Sequence, residues 1–131
     1  MFKNNISVTN FGGTFCGTGI TTIPVEIFSY APDVTNFSQV FWKCNNLIDI
    51  PAGLFDNNRK VTNFSQALYE IPCIQESPYT IINVDGTDIK VHLYERANYK
   101  EHFTAPVIYK KCFSNNQNRA DWTAIVAAGW N

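Results

Sequence analysis

The segment VTNFSQVFWKCNNLIDIPAGLFDNNRK, residues 34 to 60, is the clearest copy of an internal repeat, because parts of it occur three times in the chain. The motif VTNF at residues 34–37 recurs at residues 8–11 and 61–64, and the last two copies are identical over six residues, VTNFSQ. An Ile-Pro pair keeps step at residues 23–24, 50–51 and 71–72. The copies begin 26 and 27 residues apart. An internal repeat of this length indicates a solenoid in which each unit stacks on the next.

The apolar residues of the repeat predict which side chains form the core. They fall three or four positions apart, and we expect Phe37, Phe41, Leu47, Ile50 and Phe55 to be buried. Residues 34–37 and 47–50 are too short to form independent strands, so we expect residues 34–37 to pair with residues 61–64 of the next coil. Residues 38–43 can form about one helical turn with Ser38 as its N-cap.

The pattern VTNF-S-x-x-F-x-x-C-x-x-L-x-x-IP-x-x-LF-x-NN resembles the BspA-like leucine-rich repeats. Residues 1 to about 72 carry it directly, and the remainder resembles the divergent last unit of such arrays, with VHLYERA at 91–97 and CFSNN at 112–116. Ile125-Val126 stands where an Ile-Pro is expected, so the last unit matches less well. The resemblance implies a right-handed leucine-rich-repeat solenoid with short strands, short helical turns and a divergent C-terminal capping unit. It also implies attachment or recognition, as in bacterial surface proteins and phage tail fibres.

The chain is therefore interpreted as one domain with two parts: repeats of about 26–27 residues at 1–72, and a hairpin-containing cap at 73–131. Residues 79–84 and 87–94 read as two strands around Asp85-Gly86, a strong turn signal. Residues 106–113 should rejoin the stack. Residues 121–128 predict a short helix with Asp121 as N-cap, and Trp122 and Trp130 are expected to cover the end of the core.

The composition limits the partners of the chain. A net charge of -1 and the lack of basic runs argue against nucleic acid as a partner. No apolar window is long enough for membrane insertion, and no signal peptide precedes the repeats. The four cysteines are widely spaced and form no CxxC pair, so we expect buried free thiols, no metal site and no cofactor. The resemblance implies an extracellular, cell-surface or virion-associated location.

The sequence predicts no catalytic site. His92 alternates with apolar residues and is expected to face solvent, and His102 lies in a polar connector. Cys44 and Cys112 are interpreted as core residues at matching places in their units, because a nucleophilic cysteine needs a paired base. The Asn-x-Ser sequons at 5, 36 and 63 are interpreted as accidental unless the protein is secreted by a eukaryote, and the side chains of Asn36 and Asn63 are expected to satisfy backbone groups at turns.

Residues that vary between the units are the candidate ligand-binding residues. Aromatic side chains and arginine are the types that anchor interfaces. We therefore predict a non-enzymatic module that binds a protein or glycan on a surface; the alternative is a structural assembly or spacer domain. The first coil begins in mid-repeat, so its N-terminal edge is expected to self-associate, or the chain to be the C-terminal portion of a longer protein. The candidates are Trp42, Tyr69 and Tyr30, which are aromatic where the repeat does not require it, and the charged residues Asp49, Arg59 and Lys60.

Overall fold

The structure is a computed structural model that describes residues 4, 6–73, 75–96 and 103–131. Its named elements in these ranges are strands β1 (Tyr79–Val84) and β2 (Thr87–His92) and helices α1 (Leu93–Arg96) and α2 (Trp122–Ala127). The repeated part is built instead from turns and isolated parallel bridges. The N-terminal residues 1–3 and 5, and the connector that contains His102, lie outside the described residues.

Parallel hydrogen bonding joins four stretches of chain, which we call the ladder segments: residues 9–17, 35–43, 62–70 and 107–115. Asn10 bridges to Asn36, Asn36 to Asn63, and Asn63 to Ile108. Alternate N–H groups of each segment donate to the next, as Phe37 donates to the carbonyl of Asn63 at 2.9 Å. The expected pairing of residues 34–37 with 61–64 is therefore confirmed, and residues 106–113 do rejoin the stack.

Each ladder segment bends at two residues with left-handed backbone. Gln39 has φ 57° and Lys43 has φ 56°, values that an α-helix does not permit. The helical turn expected at residues 38–43 is therefore wrong, and a run of β-turns with positive φ at the third position takes its place. The bends recur in the same two rows of the stack: Gly13, Gln39, Gln66 and Lys111 form one row, and Gly17, Lys43, Glu70 and Asn115 the other.

Phenylalanine rings form columns through the core. The ring of Phe37 stacks between those of Phe11 and Phe64, with centroid distances of 5.9 and 5.8 Å. Phe28 and Phe55 stack in a second column at 6.0 Å. Identical residues at one repeat spacing thus bury one another, which explains why the motif is conserved within this chain. The five side chains expected in the core are all buried: Phe37, Phe41, Leu47, Ile50 and Phe55.

The predicted β-hairpin is present between the third and fourth ladder segments. β1 and β2 are antiparallel, with Tyr79 opposite His92 and Val84 opposite Thr87. Asp85 and Gly86 in the turn have φ 51° and 83°, the two positive values that a type I′ turn requires. The second strand ends at His92 rather than at residue 94, because α1 begins at Leu93. Only the base of the hairpin is buried, and its tip projects from the stack.

The C-terminal residues cover the last ladder segment. Trp130 is buried, its carbonyl accepts the Phe113 N–H, and its ring stacks on Tyr109 at 4.7 Å. Asp121 stands at the N-cap position of α2, but its side chain makes no capping hydrogen bond. The expectation of a side-chain cap is wrong because the Asp121 carboxylate accepts the backbone N–H of Ser77 at 2.8 Å instead. This bond ties the helix to the residues that lead into the hairpin.

Candidate functional site

The ladder brings two of the six candidate residues together. The Gly17 N–H donates to the carbonyl of Trp42 and the Lys43 N–H donates to that of Tyr69, so Trp42 and Tyr69 occupy the same row of adjacent coils. Their rings meet edge-on, with centroids 6.3 Å apart. Both side chains are half-buried, which leaves part of each ring facing solvent.

Polar and charged groups surround these two rings. Lys43 Nζ lies 5.1 Å from the centroid of the Trp42 ring and 3.9 Å from the Glu70 carboxylate. Asn115 Nδ2 donates to the Tyr69 hydroxyl at 3.1 Å. Lys43, Glu70 and Asn115 share one row of left-handed bends, so the backbone sets their common position beside the aromatic residues. We call the set Trp42, Lys43, Tyr69, Glu70 and Asn115 the aromatic surface.

The indole of Trp42 has an unused hydrogen-bond donor. Its Nε1 atom is buried, and no acceptor for it lies in the part of the chain that the structure describes. A buried donor left unpaired costs about 1–3 kcal/mol.

The other four candidates lie outside the aromatic surface. Tyr30 is exposed on the bend that precedes the second ladder segment. Lys60 forms an exposed ion pair with Asp33 of the coil before it, an interaction of small stabilising effect. Arg59 is exposed, and its carbonyl accepts the Thr104 N–H. Asp49 lines a separate cavity.

That cavity, of about 510 Å³, opens between the second coil and the base of the hairpin. Of its lining residues, only Asp49 was predicted from the sequence as a ligand-binding residue. The others were missed because they come from three distant parts of the chain, and their spacing gives no signal before the hairpin folds against the coil. The lining residues are Asp49, Ile50, Pro51, Ala52, Gln75, Glu76, Ser77, Tyr79 and Ala120.

His92 does not face solvent, so that expectation is wrong. Its side chain is 16% exposed, and its ring stacks on Tyr94 at a centroid distance of 5.2 Å. Nε2 lies 2.8 Å from Glu76 and Nδ1 lies 3.1 Å from Glu95. The short helix α1 turns Glu95 back towards the end of the strand, a local bend that strand alternation cannot anticipate. Both ring nitrogens thus face carboxylate oxygens.

The carboxyl group of Glu76 and the phenol group of Tyr94, both near the hairpin, have shifted pKa values. The hydrogen bond from Lys90, and then that from His92, hold the pKa of Glu76 below its usual value. Glu76 therefore stays negatively charged well into the acidic range. Burial is the main cause that raises the pKa of Tyr94, so its hydroxyl keeps its proton at neutral pH.

The cysteines are free, but they are not all buried core residues. Cys16 is exposed, which corrects the expectation for that thiol. Cys112 lies in the row of Val40 and Ala67, not at the place of Cys44, because the fourth ladder segment aligns by its backbone hydrogen bonds. Burial raises the pKa of Cys44, and it raises the pKa of Cys112 to about 12. Both thiols therefore stay protonated, whereas a nucleophilic thiol needs a lowered pKa.

The sequon asparagines hold the bends of the ladder. The Oδ1 atoms of Asn36 and Asn63 accept the N–H groups of Ser38 and Ser65 at 2.8 and 2.9 Å. These are Asx turns, as expected for asparagine two residues before a backbone donor. The sequon at Asn5 lies outside the described residues.

Within the described ranges, no group of three or more His, Cys, Asp or Glu side chains is placed to hold a metal ion. The helices in those ranges are all too short to cross a membrane as apolar spans. No protein-family model, curated protein or solved structure matches the chain significantly.

Proposed function

We propose that this chain is a non-enzymatic recognition module, a leucine-rich-repeat-like solenoid that binds a protein or glycan on a surface through the aromatic surface. One observation carries the proposal: Trp42 and Tyr69, which the repeat does not require to be aromatic, pack edge to face in one row of adjacent coils. Rows of exposed variable residues on a regular stack are how repeat proteins build extended binding surfaces.

The composition of the aromatic surface suits a ligand of low net charge. Lys43 and Glu70 offset each other, and the Asn115 amide and Tyr69 hydroxyl supply hydrogen-bonding groups. Tryptophan and tyrosine offer large contact area at low entropic cost, and they are enriched among residues that dominate binding energy. The corresponding places in the first and fourth ladder segments hold Cys16 and Ser114, so the aromatic part spans two coils.

A second candidate function, structural assembly, is favoured by the first coil. Asn36, Ser38, Val40 and Trp42 accept hydrogen bonds from the first segment, but the equivalent carbonyls of that segment accept none from the described residues. Such an edge can pair with another chain and extend the ladder, which is the self-association expected through the N-terminal edge. The outward carbonyls belong to Asn10, Gly12, Thr14 and Cys16.

A glycan array and an array of displayed cell-surface proteins, both probed with the purified chain, test the proposal. We expect a reproducible ligand whose binding falls at least about tenfold in the double variant Trp42→Ala/Tyr69→Ala, since truncating such anchors costs more than 1 kcal/mol each. Tyr30→Ala, an exposed aromatic residue outside the aromatic surface, is the matched control and should bind normally. Silent arrays combined with concentration-dependent self-association in light scattering would overturn recognition in favour of assembly.

A further inference from the structure

The cavity beside the hairpin has two walls that a backbone hydrogen bond holds together. Residues 49–52 of the second coil form one wall, and residues 75–79 with Ala120 form the other. The Tyr79 N–H donates to the carbonyl of Ala52 at 2.9 Å and joins the two walls. Ile50, Pro51 and Ala52 give the coil side of the cavity an apolar surface. The cavity is thus a built feature of the joint between coil and hairpin.

The acidic groups of the lining are Asp49 and Glu76, one on each wall, and the lining itself contains no lysine, arginine or histidine. Lys90 and His92 bind Glu76 from the adjacent strand, so Asp49 carries the uncompensated negative charge. Asp49 is exposed, and its carboxylate makes no hydrogen bond or ion pair with any described residue. Glu76 binds Lys90 through one oxygen and His92 through the other, but each carboxylate oxygen can accept a second bond. Both carboxylates therefore have acceptor capacity to offer a cation.

A buried hydroxyl gives a second and independent indication of a ligand. Ser77 lines the same cavity, is fully buried, and its Oγ has no hydrogen-bond partner among the described residues. Its backbone N–H is held by Asp121, so the residue is fixed in place. A buried hydroxyl without a partner is unfavourable by about 1–3 kcal/mol. An N–H donor entering the cavity would supply the missing bond.

We propose that this cavity binds the ammonium or guanidinium group of a lysine or arginine side chain from a partner protein. The methylene stem would lie on the apolar coil wall, as such stems do on apolar surfaces. The charged end would lie between Asp49 and Glu76, with the Ser77 hydroxyl as a third acceptor. Lys90 Nζ already lies 4.2 Å from the centroid of the Tyr79 ring, so the fold places a cation beside this ring. The site is separate from the aromatic surface and does not depend on its ligand.

Amide chemical shifts of the full chain test the proposal, with N-acetyl-lysine amide and N-acetyl-arginine amide as probes. We expect saturable shifts at Ala52, Ser77 and Tyr79, and at least tenfold weaker binding of the neutral isostere, N-acetyl-Nε-acetyl-lysine amide. Asp49→Asn should weaken binding at least about fivefold. Asp85→Asn is the matched control, because it removes the same charge at the exposed turn, where asparagine suits the positive φ.

Three results would overturn the proposal. The first is equal binding of the charged and neutral probes, and the second is equal binding by the Asp49→Asn and Asp85→Asn variants. The third is spermidine shifting the same amides while the lysine and arginine probes do not, which would assign the cavity to a free polyamine. Thermal melts of both variants establish that they are folded before the comparison is made.

Discussion

The repeated coils and the C-terminal region treat their buried polar groups differently. In the coils, the buried Nδ2 of Asn58 donates to the carbonyls of Phe28 and Ala31, one coil earlier, and only its Oδ1 lacks a partner among the described residues. In the C-terminal region, the three guanidinium nitrogens of Arg119 are buried without hydrogen-bond acceptors, and Asp121 Oδ1 lacks a donor. Five of the seven such atoms in the described residues lie in the C-terminal region. The Asx turns of Asn10, Asn36 and Asn63 repeat one arrangement of polar groups in successive coils, whereas a non-repeating region has to satisfy each group separately.

The largest expected effect is the loss of a core ring from the coils. Phe41→Ala should lower the free energy of unfolding by about 3–5 kcal/mol, because a fully buried ring leaves a cavity when it is removed. Its ring stacks on Phe15 at 5.5 Å, so the loss affects the packing of two coils. Urea unfolding measures the change. Ile48→Ala, at a side chain that is 61% exposed, is the control and should stay within about 0.5 kcal/mol.

The next effect concerns the hydrogen bonds that the buried Asn58 side chain makes within the coils. Asn58→Ala should cost about 2 kcal/mol, because it removes two buried hydrogen bonds, to the carbonyls of Phe28 and Ala31, each contributing about 1 kcal/mol. Asn57→Ala, at the exposed neighbouring position, should change stability by less than about 0.5 kcal/mol. Equal midpoints for the two variants in chemical denaturation would contradict the role assigned to Asn58.

The pH dependence of stability at alkaline pH tests the burial of Cys112, which lies in the fourth ladder segment, where the C-terminal region joins the coils. Burial raises the pKa of Cys112 from 9.0 to about 12, so the folded chain keeps a proton that the unfolded chain releases above pH 9. The contribution is complete below pH 9 and is lost as pH rises towards 12, at up to about 1.4 kcal/mol per pH unit. Cys112→Val introduces valine, the residue that Val40 contributes to the same row of the stack, and should remove this loss of stability at high pH.

Urea unfolding of the native chain and of Cys112→Val from pH 8 to 10.5 measures the difference. Cys44 and Tyr94 titrate in both proteins, so their contributions cancel. Parallel stability curves would show that Cys112 ionises without cost in the folded state.

The smallest effect is expected for the unpaired polar groups of the C-terminal region. The double variant Arg119→Met/Asp121→Asn removes a buried ion pair whose Nε–Oδ1 distance is 3.8 Å. Replacing such pairs by residues of similar size is often neutral or stabilising, so we expect a change within about 1 kcal/mol, or a gain. Arg119→Met alone should cost more, because it leaves the Asp121 carboxylate without its cation. A double variant whose free energy of unfolding falls by 3 kcal/mol or more would contradict the view that buried polar groups of the C-terminal region are less well satisfied than those of the coils.

The repeat and the hairpin could be predicted from sequence because their signals are local or periodic. VTNF at one spacing predicted the parallel pairing, and Asp85-Gly86 between alternating strands predicted the turn. The bends at Gln39 and Lys43 could not, since non-glycine residues there adopt left-handed backbone only because the stack requires it.

The candidate site was predicted in part for the same reason. Trp42 and Tyr69 share a repeat position, so their proximity followed from periodicity. The cavity joins Asp49 to Glu76 and Ser77 across a fold-dependent contact, and His92 meets Glu95 only through a short helix. Such convergence depends on tertiary structure, for which a single sequence gives no spacing rule.

The long excursion between the third and fourth ladder segments has a consequence for engineering and for evolution. Asn63 and Ile108 are bridged as neighbours although 45 residues separate them, whereas the earlier bridges join residues 26 and 27 apart. The register of the stack therefore depends on which rows pair and not on the number of residues between them. Lengthening such an excursion twofold costs only about 0.6 kcal/mol in closure entropy. The exposed hairpin turn at Asp85-Gly86 is accordingly a site where a foreign peptide can be inserted and displayed while the ladder segments on either side keep their register.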